Sequence, residues 1–444
     1  MNAHSSIIFP VWCSGTVIGM GLAFCALFGA DMTRAEEPVI RVQIMSTLER
    51  ILVRPLGSWK VQASKPDLLV DGKEAAIECR GSRVRLLSGE NVWEDTLLTL
   101  RAVSDTGTLL VRNVPYGIGW WWEGKEDRRY EGEIRVRALP SGRLSIIVCL
   151  PIERYLRGVV PFEIGTAPLE ALRAQTIAAR SEACAALRNR MYAGDGYDIC
   201  GDVDCQVYGG TMKSTADIED AIRTTSGLVL QAGGVPLNAY FASNCGGHSE
   251  SVENVWPQRS GPRPYWSAHP DADSLVTESL RNEQVLRGWL AKGPATFCNP
   301  ITNPGLPDWG RKYWRWKVRT SPDSLAPGTP HGSRAGRIVR IDSVRRGSSG
   351  RILSAVFVGE RGSFRVSSEL EFRQVWSPPL RSSCVVVDRE GPAERPDRFL
   401  LTGAGWGHGV GMCQSGAVGM ALAGRPAEQI LRHYYPTADV APAY

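Results

Sequence analysis

Three stretches of this 444-residue chain hold side chains able to do chemistry. The first is Tyr155-Leu-Arg-Gly-Val-Val-Pro-Phe-Glu163-Ile-Gly. Glu163 is flanked by Val159, Val160, Pro161, Phe162 and Ile164, and no charge stands nearer in sequence than Arg157. Apolar surroundings disfavour an ionised carboxyl and raise its pKa, which is how a glutamate becomes a general acid near neutral pH. The plainer alternative is an ionised glutamate at the rim of a loop.

The second is Gly403-Ala-Gly-Trp-Gly-His408-Gly-Val-Gly-Met-Cys413-Gln414. Its glycines alternate, so in an extended strand all of them share one face and leave it flat. A bare face admits another chain or a ligand, or simply packs tightly between strands. No Gly-Lys-Ser/Thr and no strand-turn-helix dinucleotide pattern accompanies it, so it is not a phosphate loop. His408 is one of six histidines and has little local packing reason to sit there.

The third pairs Cys200-Gly-Asp-Val-Asp-Cys205-Gln206-Val-Tyr208 with Asn244-Cys245-Gly-Gly-His248. Cysteine and histidine at these separations suit zinc, although neither a Cys-x-x-Cys pair nor a His-Glu-x-x-His helix is present. A disulfide such as Cys205 to Cys245 is the competing use. A Cys413 nucleophile with His408 or His248 as its base is a third arrangement.

The elements around these stretches fall into two textures. From the opening strand Val39–Ile44 to Leu150, short apolar runs alternate with turns. The runs include Trp59–Ala63, Ala75–Cys79, Leu97–Val103, Thr108–Val111, Glu133–Arg137 and Leu144–Leu150, with turns at Asp71-Gly72, Ser88-Gly89 and Ser141-Gly142. This punctuation predicts a β-rich region. Trp120, Trp121 and Trp122 either stack on sugars or pack in that core, ahead of a charged stretch, Glu123–Arg129. From Pro168 to Met191 the chain is Ala-rich without an internal Gly or Pro, which predicts a long helix opened by Pro168. Arg173 and Arg180 are seven residues apart, hence on one face about 10 Å apart along the axis, with Ser181 beside them. Both arginines are solvated, paired with Glu170 and Glu182, or directed to a ligand.

A second helix is predicted over Thr215–Thr225, and strands over Leu228–Gln231 and Leu237–Phe241. Residues 257–335 read as an irregular excursion with short helices such as Ser279–Lys292. Strands return at Arg337–Val344 and Arg351–Val358, and a last helix runs over Pro426–Tyr434. The fold class is α+β: a mixed sheet with the Ala-rich helix at a cleft, preceded by a β-rich N-terminal region. The expected division is 1–35, 36–124 and 125–440.

Composition fits this. Hydrophobic residues make up 43% and charged residues 22%, which excludes bulk disorder, collagen and a heptad rod. The 51 basic and 46 acidic residues leave +5, compatible with an acidic polymer but not a nucleic-acid signature. Ile7–Ala30 carries no Lys, Arg, Asp or Glu and is long enough for an anchor; Thr33 and Ala35 also suit signal cleavage before Glu36. Either way the body is expected to be exported, to the periplasm or the cell exterior, with the membrane touched only through an uncleaved N-terminal segment. Of 11 cysteines, Cys13 and Cys25 lie in that segment; an odd number remains, so at least one is free, metal-bound or paired with another chain.

Taken together, the motifs resemble the SpoIID/LytB (stage II sporulation protein D) family. The resemblance rests on Tyr155-Leu-x-Gly-Val-Val-Pro-x-Glu163 and Glu170-Ala-Leu-Arg-Ala-Gln-Thr-Ile-Ala-Ala-Arg-Ser181. It extends through Cys205-Gln-Val-Tyr-Gly-Gly210, Ala239-Tyr-Phe-Ala-Ser-Asn-Cys-Gly-Gly247, Gly405–Gln414 and Ile430-Leu-Arg-His-Tyr-Tyr-Pro436, covering roughly residues 125–440. It implies a peptidoglycan lytic transglycosylase with Glu163 as the single general acid/base, acting between N-acetylmuramic acid and N-acetylglucosamine. Arg173, Arg180, Ser181, Gln206, Tyr208, Tyr240, His408 and Gln414 then become substrate-site candidates. No cofactor is required; some relatives bind zinc, for which Cys245 and His248 are the candidates here. The family also holds amidase enhancers, so the alternative is a non-catalytic wall-binding partner of an amidase. Ile164-Gly165 departs from the Met-Pro frequent after the acid. Glu182 stands where an aromatic is common and adds a carboxylate near Arg180.

Overall fold

The computed structural model describes residues 36–444 apart from 64–67, 72, 260, 275–278, 324 and 326–334. The N-terminal apolar segment, with Cys13, Cys25 and the expected cleavage site, lies outside the described residues. So does Gly72 of the Asp71-Gly72 turn. No helix among the described residues is long and apolar enough to cross a membrane.

Leu144–Pro151 is the central strand, buried along Leu144–Leu150. Burying an aliphatic side chain contributes about 1.5–3 kcal/mol, so a continuous apolar run is stable only where both faces are covered. It pairs antiparallel with Val39–Thr47 on one side and Glu133–Ala138 on the other. The seven-stranded sheet continues through Leu97–Ala102, Ser58–Gln62 and Leu68–Asp71. Its other edge is Ile199–Cys200, which pairs parallel with Val39–Thr47 and makes the sheet mixed. A six-stranded antiparallel sheet shares its core: Val53, Ile77, Val84 and Val111 cluster with Ile40, Val136 and Val148. Every predicted strand of this region is present, and the region is strand-rich in an α+β chain.

The expected boundary at 124/125 falls inside a hairpin. The charged stretch Glu123–Arg129 forms most of the strand Gly124–Tyr130, which pairs with Thr108–Tyr116. Its charges concealed the strand: Asp127 takes the Arg112 guanidinium at 2.5 Å, and Arg128 turns inward. Glu36–Tyr444 form one compact unit, with both sheets running across the expected junction.

The long helix spans Leu169–Asn189, and the Pro168 carbonyl accepts the first amide bonds, from Ala171 and Leu172. Its Ala content follows from its position between two cores. Ala171, Ala179 and Ala183 face the core of the sheets, while Ala174, Ile177 and Ala178 face a second one. That second core holds Val410, Met412, Ala417, Ile430 and Leu431, from the helices Gln414–Leu422 and Ala427–Tyr434 and the chain before them. Small side chains let the three helices approach closely.

Three expectations for the second half need correction. Leu237–Phe241 is not a strand; pairing is confined to Val235–Pro236 and Phe241–Ala242. Between them the Asn238 carbonyl is taken by the Trp266 indole, and the Tyr240 carbonyl is shared by the Tyr435 hydroxyl and the Met412 amide. The excursion 257–335 is also less irregular than expected. It holds the strand Arg315–Thr320, paired along its length with Arg398–Ala404, whose alternating Lys317 and Arg319 hid a half-buried face. The helix predicted at Ser279–Lys292 is Glu283–Lys292, its start set by the Asn282 side chain accepting from Gln284 and Val285. Third, the alternating glycines do not form a flat strand. The strand ends at Ala404, and Gly405, Gly407, Gly409 and Gly411 all have positive φ, from +70° to +105°. A Cβ on Gly411 would lie 2.0 Å from the Tyr240 carbonyl oxygen. The alternation therefore marks a winding loop in close backbone contact, with conformations that only glycine adopts without strain.

Candidate active site

Pro151 ends the central strand, and the chain turns through two short helices, Ile152–Leu156 and Val160–Glu163. Gly165, at φ +64°, then reverses it into the long helix. Glu163 therefore stands at the mouth of a strand-to-helix crossover, half-buried beside Val160, Pro161 and Ile164.

One carboxylate oxygen of Glu163 accepts the Val207 N–H at 2.6 Å. Burial is the main influence on this carboxyl and raises its pKa to about 7; the Val207 amide and the Gln414 side chain oppose the rise, and the Asp202 charge adds to it. The group is thus divided between acid and base near neutrality, as its apolar neighbours in sequence suggested.

The loop that presents Val207 is held by the residues on either side of it. Gln206 is buried and donates to the Ala179 carbonyl at 3.3 Å and the Tyr155 hydroxyl at 3.4 Å. The Tyr208 ring is buried against Tyr130 and Tyr155, and its hydroxyl has no partner among the described residues. Both side chains are buried and anchor the loop from which the Val207 amide reaches the acid. Gln414 comes from the far end of the sequence. It donates to Gln175 of the long helix at 3.3 Å while its amide also reaches Glu163.

The Gly-rich loop is locked to the 239–247 segment by a short parallel pairing, Phe241 with Met412 and Ala242 with Cys413, and by a bridge between Asn244 and Trp406. His408 packs on Trp256 with ring centroids 4.7 Å apart, and Trp256 packs on Tyr240, also at 4.7 Å. Burial, reinforced by the Arg351 and Arg373 charges, lowers His408 to about 3. It is a neutral ring whose Nδ1 accepts the Val410 N–H at 3.0 Å. Tyr240 is pushed up to about 12, by burial first and then by Glu182. Glu182 itself is raised to about 7 by burial and accepts from Asn238 at 3.0 Å.

The remaining candidates have other partners. Arg180 is fully buried and binds both oxygens of Glu153, at 3.0 and 2.7 Å, not Glu182. Ser181 donates to the Ile177 carbonyl and accepts the Leu230 N–H. Arg173 bridges Glu170 and Asp220 at 2.6 and 3.2 Å. These three fasten the long helix to its neighbours. His248 bonds the Ser249 carbonyl. The sulfur of Cys413 accepts the Cys245 and Gly416 amides, and no histidine contacts it among the described residues, so the cysteine-histidine pair does not form. Nor does the Cys205–Cys245 disulfide: Cys205 lies against the Cys200 amide and Cys245 against Cys298.

The tryptophan triad packs against the Gly-rich loop instead of in a strand core. Trp120, Trp121 and Trp122 are half-buried and packed on one another. Trp122 meets Trp406 of the Gly-rich loop at 5.1 Å, and Trp406 meets Tyr313 at 4.5 Å. The turn that carries the triad is tied down by Asp202, which accepts from Gly117 and Ile118 at 3.0 and 3.1 Å. The same Asp202 charge acts on Glu163. Sequence named the tryptophans but not their meeting with Trp406, almost 300 residues away.

Comparison with known proteins adds the following. Residues 140–231 match the family model described as Stage II sporulation protein. Residues 250–411 match a domain of unknown function. The chain is 28% identical over 305 residues to an uncharacterized protein of Brachyspira hyodysenteriae, covering 68% of this chain and 70% of that protein. It is 27% identical over 307 residues to the amidase enhancer of Bacillus subtilis, covering 63% of this chain but only 39% of that protein. It is 26% identical over 309 residues to stage II sporulation protein D of Bacillus subtilis, covering 66% and 75%.

Proposed function

We propose, from the chain's similarity to the SpoIID/LytB family and the cell-wall related role this supports, that it cleaves peptidoglycan glycan strands as a lytic transglycosylase. The observation that carries the reading is the Glu163 carboxyl, half-buried, fixed by the Val207 amide and raised to about 7.

In the proposed reaction protonated Glu163 gives its proton to the glycosidic oxygen between N-acetylmuramic acid and N-acetylglucosamine. The bond from C1 to that oxygen breaks and leaves an oxocarbenium-like sugar. Its own 6-hydroxyl attacks C1, and the hydroxyl proton returns to the Glu163 carboxylate, closing a 1,6-anhydro ring. An intramolecular nucleophile removes the need for the second carboxylate that activates water in ordinary glycosidases. One group with a pKa near the working pH serves first as acid and then as base. No cofactor takes part. Trp121, Trp122 and Trp406, with Tyr313, supply ring faces for sugar stacking beside the acid. Gln206, Tyr208 and Gln414 position the carboxyl, while Tyr240 and His408 form an apolar wall. Arg173, Arg180 and Ser181 are given no substrate contact. The substrate places the protein outside the cytoplasmic membrane.

The similarity to an amidase enhancer favours a second reading, in which the chain binds glycan and stimulates a cell-wall amidase. Incubating the protein with purified glycan strands, alone and with an amidase, separates the two. Anhydro-muramic ends formed without the amidase support cleavage. Faster release of stem peptides, with no anhydro ends, supports the enhancer.

A further inference from the structure

We infer that Cys245, Cys298, Cys413 and Asp271 form a buried tetrahedral site for a thiophilic divalent cation of the zinc class. One ligand atom from each lies within 4.8 Å of every other, and all four residues are buried. They come from four separate segments: the turn after Phe241–Ala242, the loop at 271, the loop at 298, and the residue capping the helix Gln414–Leu422.

The spacing distinguishes a metal site from a disulfide. The sulfurs of Cys245 and Cys298 are 3.7 Å apart. A zinc–sulfur bond of about 2.3 Å makes the edge of a tetrahedron about 3.8 Å, whereas a disulfide closes to about 2.05 Å. Pairing two of three thiols would also strand the third beside a buried carboxylate, and buried charges are ordinarily paired or metal-bound.

The surroundings orient ligands as outer partners of a metal site do. Cys413 sulfur accepts amides from Cys245 and Gly416 at 3.2 and 3.3 Å. Asp271 accepts the Cys298 N–H at 2.9 Å on one oxygen and the Tyr434 hydroxyl at 2.6 Å on the other. A Cβ on Gly416 would stand 2.6 Å from that carboxylate, so the bare glycine makes its room.

Charge points the same way. Three thiolates and one carboxylate around a dication leave a net charge of minus two. Two guanidinium groups stand next to the cluster without a carboxylate ion pair among the described residues. Arg351, fully buried, donates to the Cys245 carbonyl at 3.2 Å and reaches Glu250 only through the Ser349 hydroxyl. Arg315 donates to the Gly246 carbonyl at 3.1 Å. His248, the other sequence candidate, is not in the set.

The site goes beyond the glycan-cleavage reading and its test is independent of it. Protein purified without chelator is assayed for zinc by mass spectrometry, and chelated protein is reloaded with cobalt(II). We expect one metal per chain, thiolate-to-cobalt charge transfer with tetrahedral visible bands, and a lower melting temperature after chelation. Cys298→Ser and Cys413→Ser should lose the metal, while Cys200→Ser and Glu163→Gln keep it. A wild type that takes up no cobalt overturns the proposal. So does an unreduced peptide linking Cys245 to Cys298, or metal lost in Cys200→Ser and kept in Cys298→Ser. If the serine variants do not fold, the wild-type cobalt spectrum alone decides.

Discussion

Glu163 carries opposite consequences for stability and for activity. Its folded pKa, about 7, lies above the ordinary 4.5. The folded state therefore holds the proton more tightly than the unfolded chain, and this contribution fades as pH rises from about 4.5 to 7. Glu163→Gln, which keeps the shape without the charge, is expected to raise the melting temperature at pH 8 and to change it little at pH 4, as differential scanning calorimetry would register. Gln414 opposes the shift, so Gln414→Leu should raise the pKa further and move the alkaline limb of the pH–rate profile upward. An unmoved limb would remove Gln414 from the site. The raised pKa was legible in sequence, because apolar neighbours on both sides of a glutamate already fix the direction. Its partners were not. Val207 and Gln414 are 44 and 251 residues away, and nothing local predicts which backbone amide will face a side chain.

At the scale of elements, the long helix is held by the ion pair between Arg180 and Glu153. Both Glu153 oxygens are engaged, one of them also by the Gly227 amide and the Tyr444 hydroxyl. Removing one partner of a buried pair costs about 3–5 kcal/mol because the other charge is left uncompensated. Arg180→Met should lower unfolding free energy by about that amount in urea. Its residual activity below the transition should keep the wild-type pH profile; a shifted profile would mean that Arg180 serves the acid directly. Sequence located this helix to within two residues because Ala-rich periodicity and Pro168 are local signals. It assigned Arg180 to the cleft because family position and helical spacing cannot reveal a partner 27 residues upstream. The glycine alternation misled for a related reason. A period of two suits a strand, but it equally records every second residue of a loop forced to positive φ, and only tertiary contacts distinguish the two.

Across the whole molecule, the β-rich region meets the Gly-rich loop. Trp122 from that region meets Trp406 from the Gly-rich loop, and both sheets run across the expected boundary at 124/125. Trp406→Ala is expected to raise KM for glycan strands several-fold and change kcat little, since stacking on sugars away from the broken bond acts in ground and transition states alike. A fall in kcat at unchanged KM would assign Trp406 to the chemistry instead. The α+β class and the β-rich start were legible because strand runs and turn signals are local; the shared core was not, because it depends on which strands pair. The proposed reaction depends on Glu163 as acid and base. Its most direct test digests purified glycan strands with wild type and with Glu163→Gln, each shown to be folded, and counts anhydro-muramic ends by mass spectrometry. Such ends are expected from wild type, with a loss of at least about 100-fold in the variant, the lower bound for removing a positioned acid. Equal product from the two proteins, or none from wild type, would contradict it.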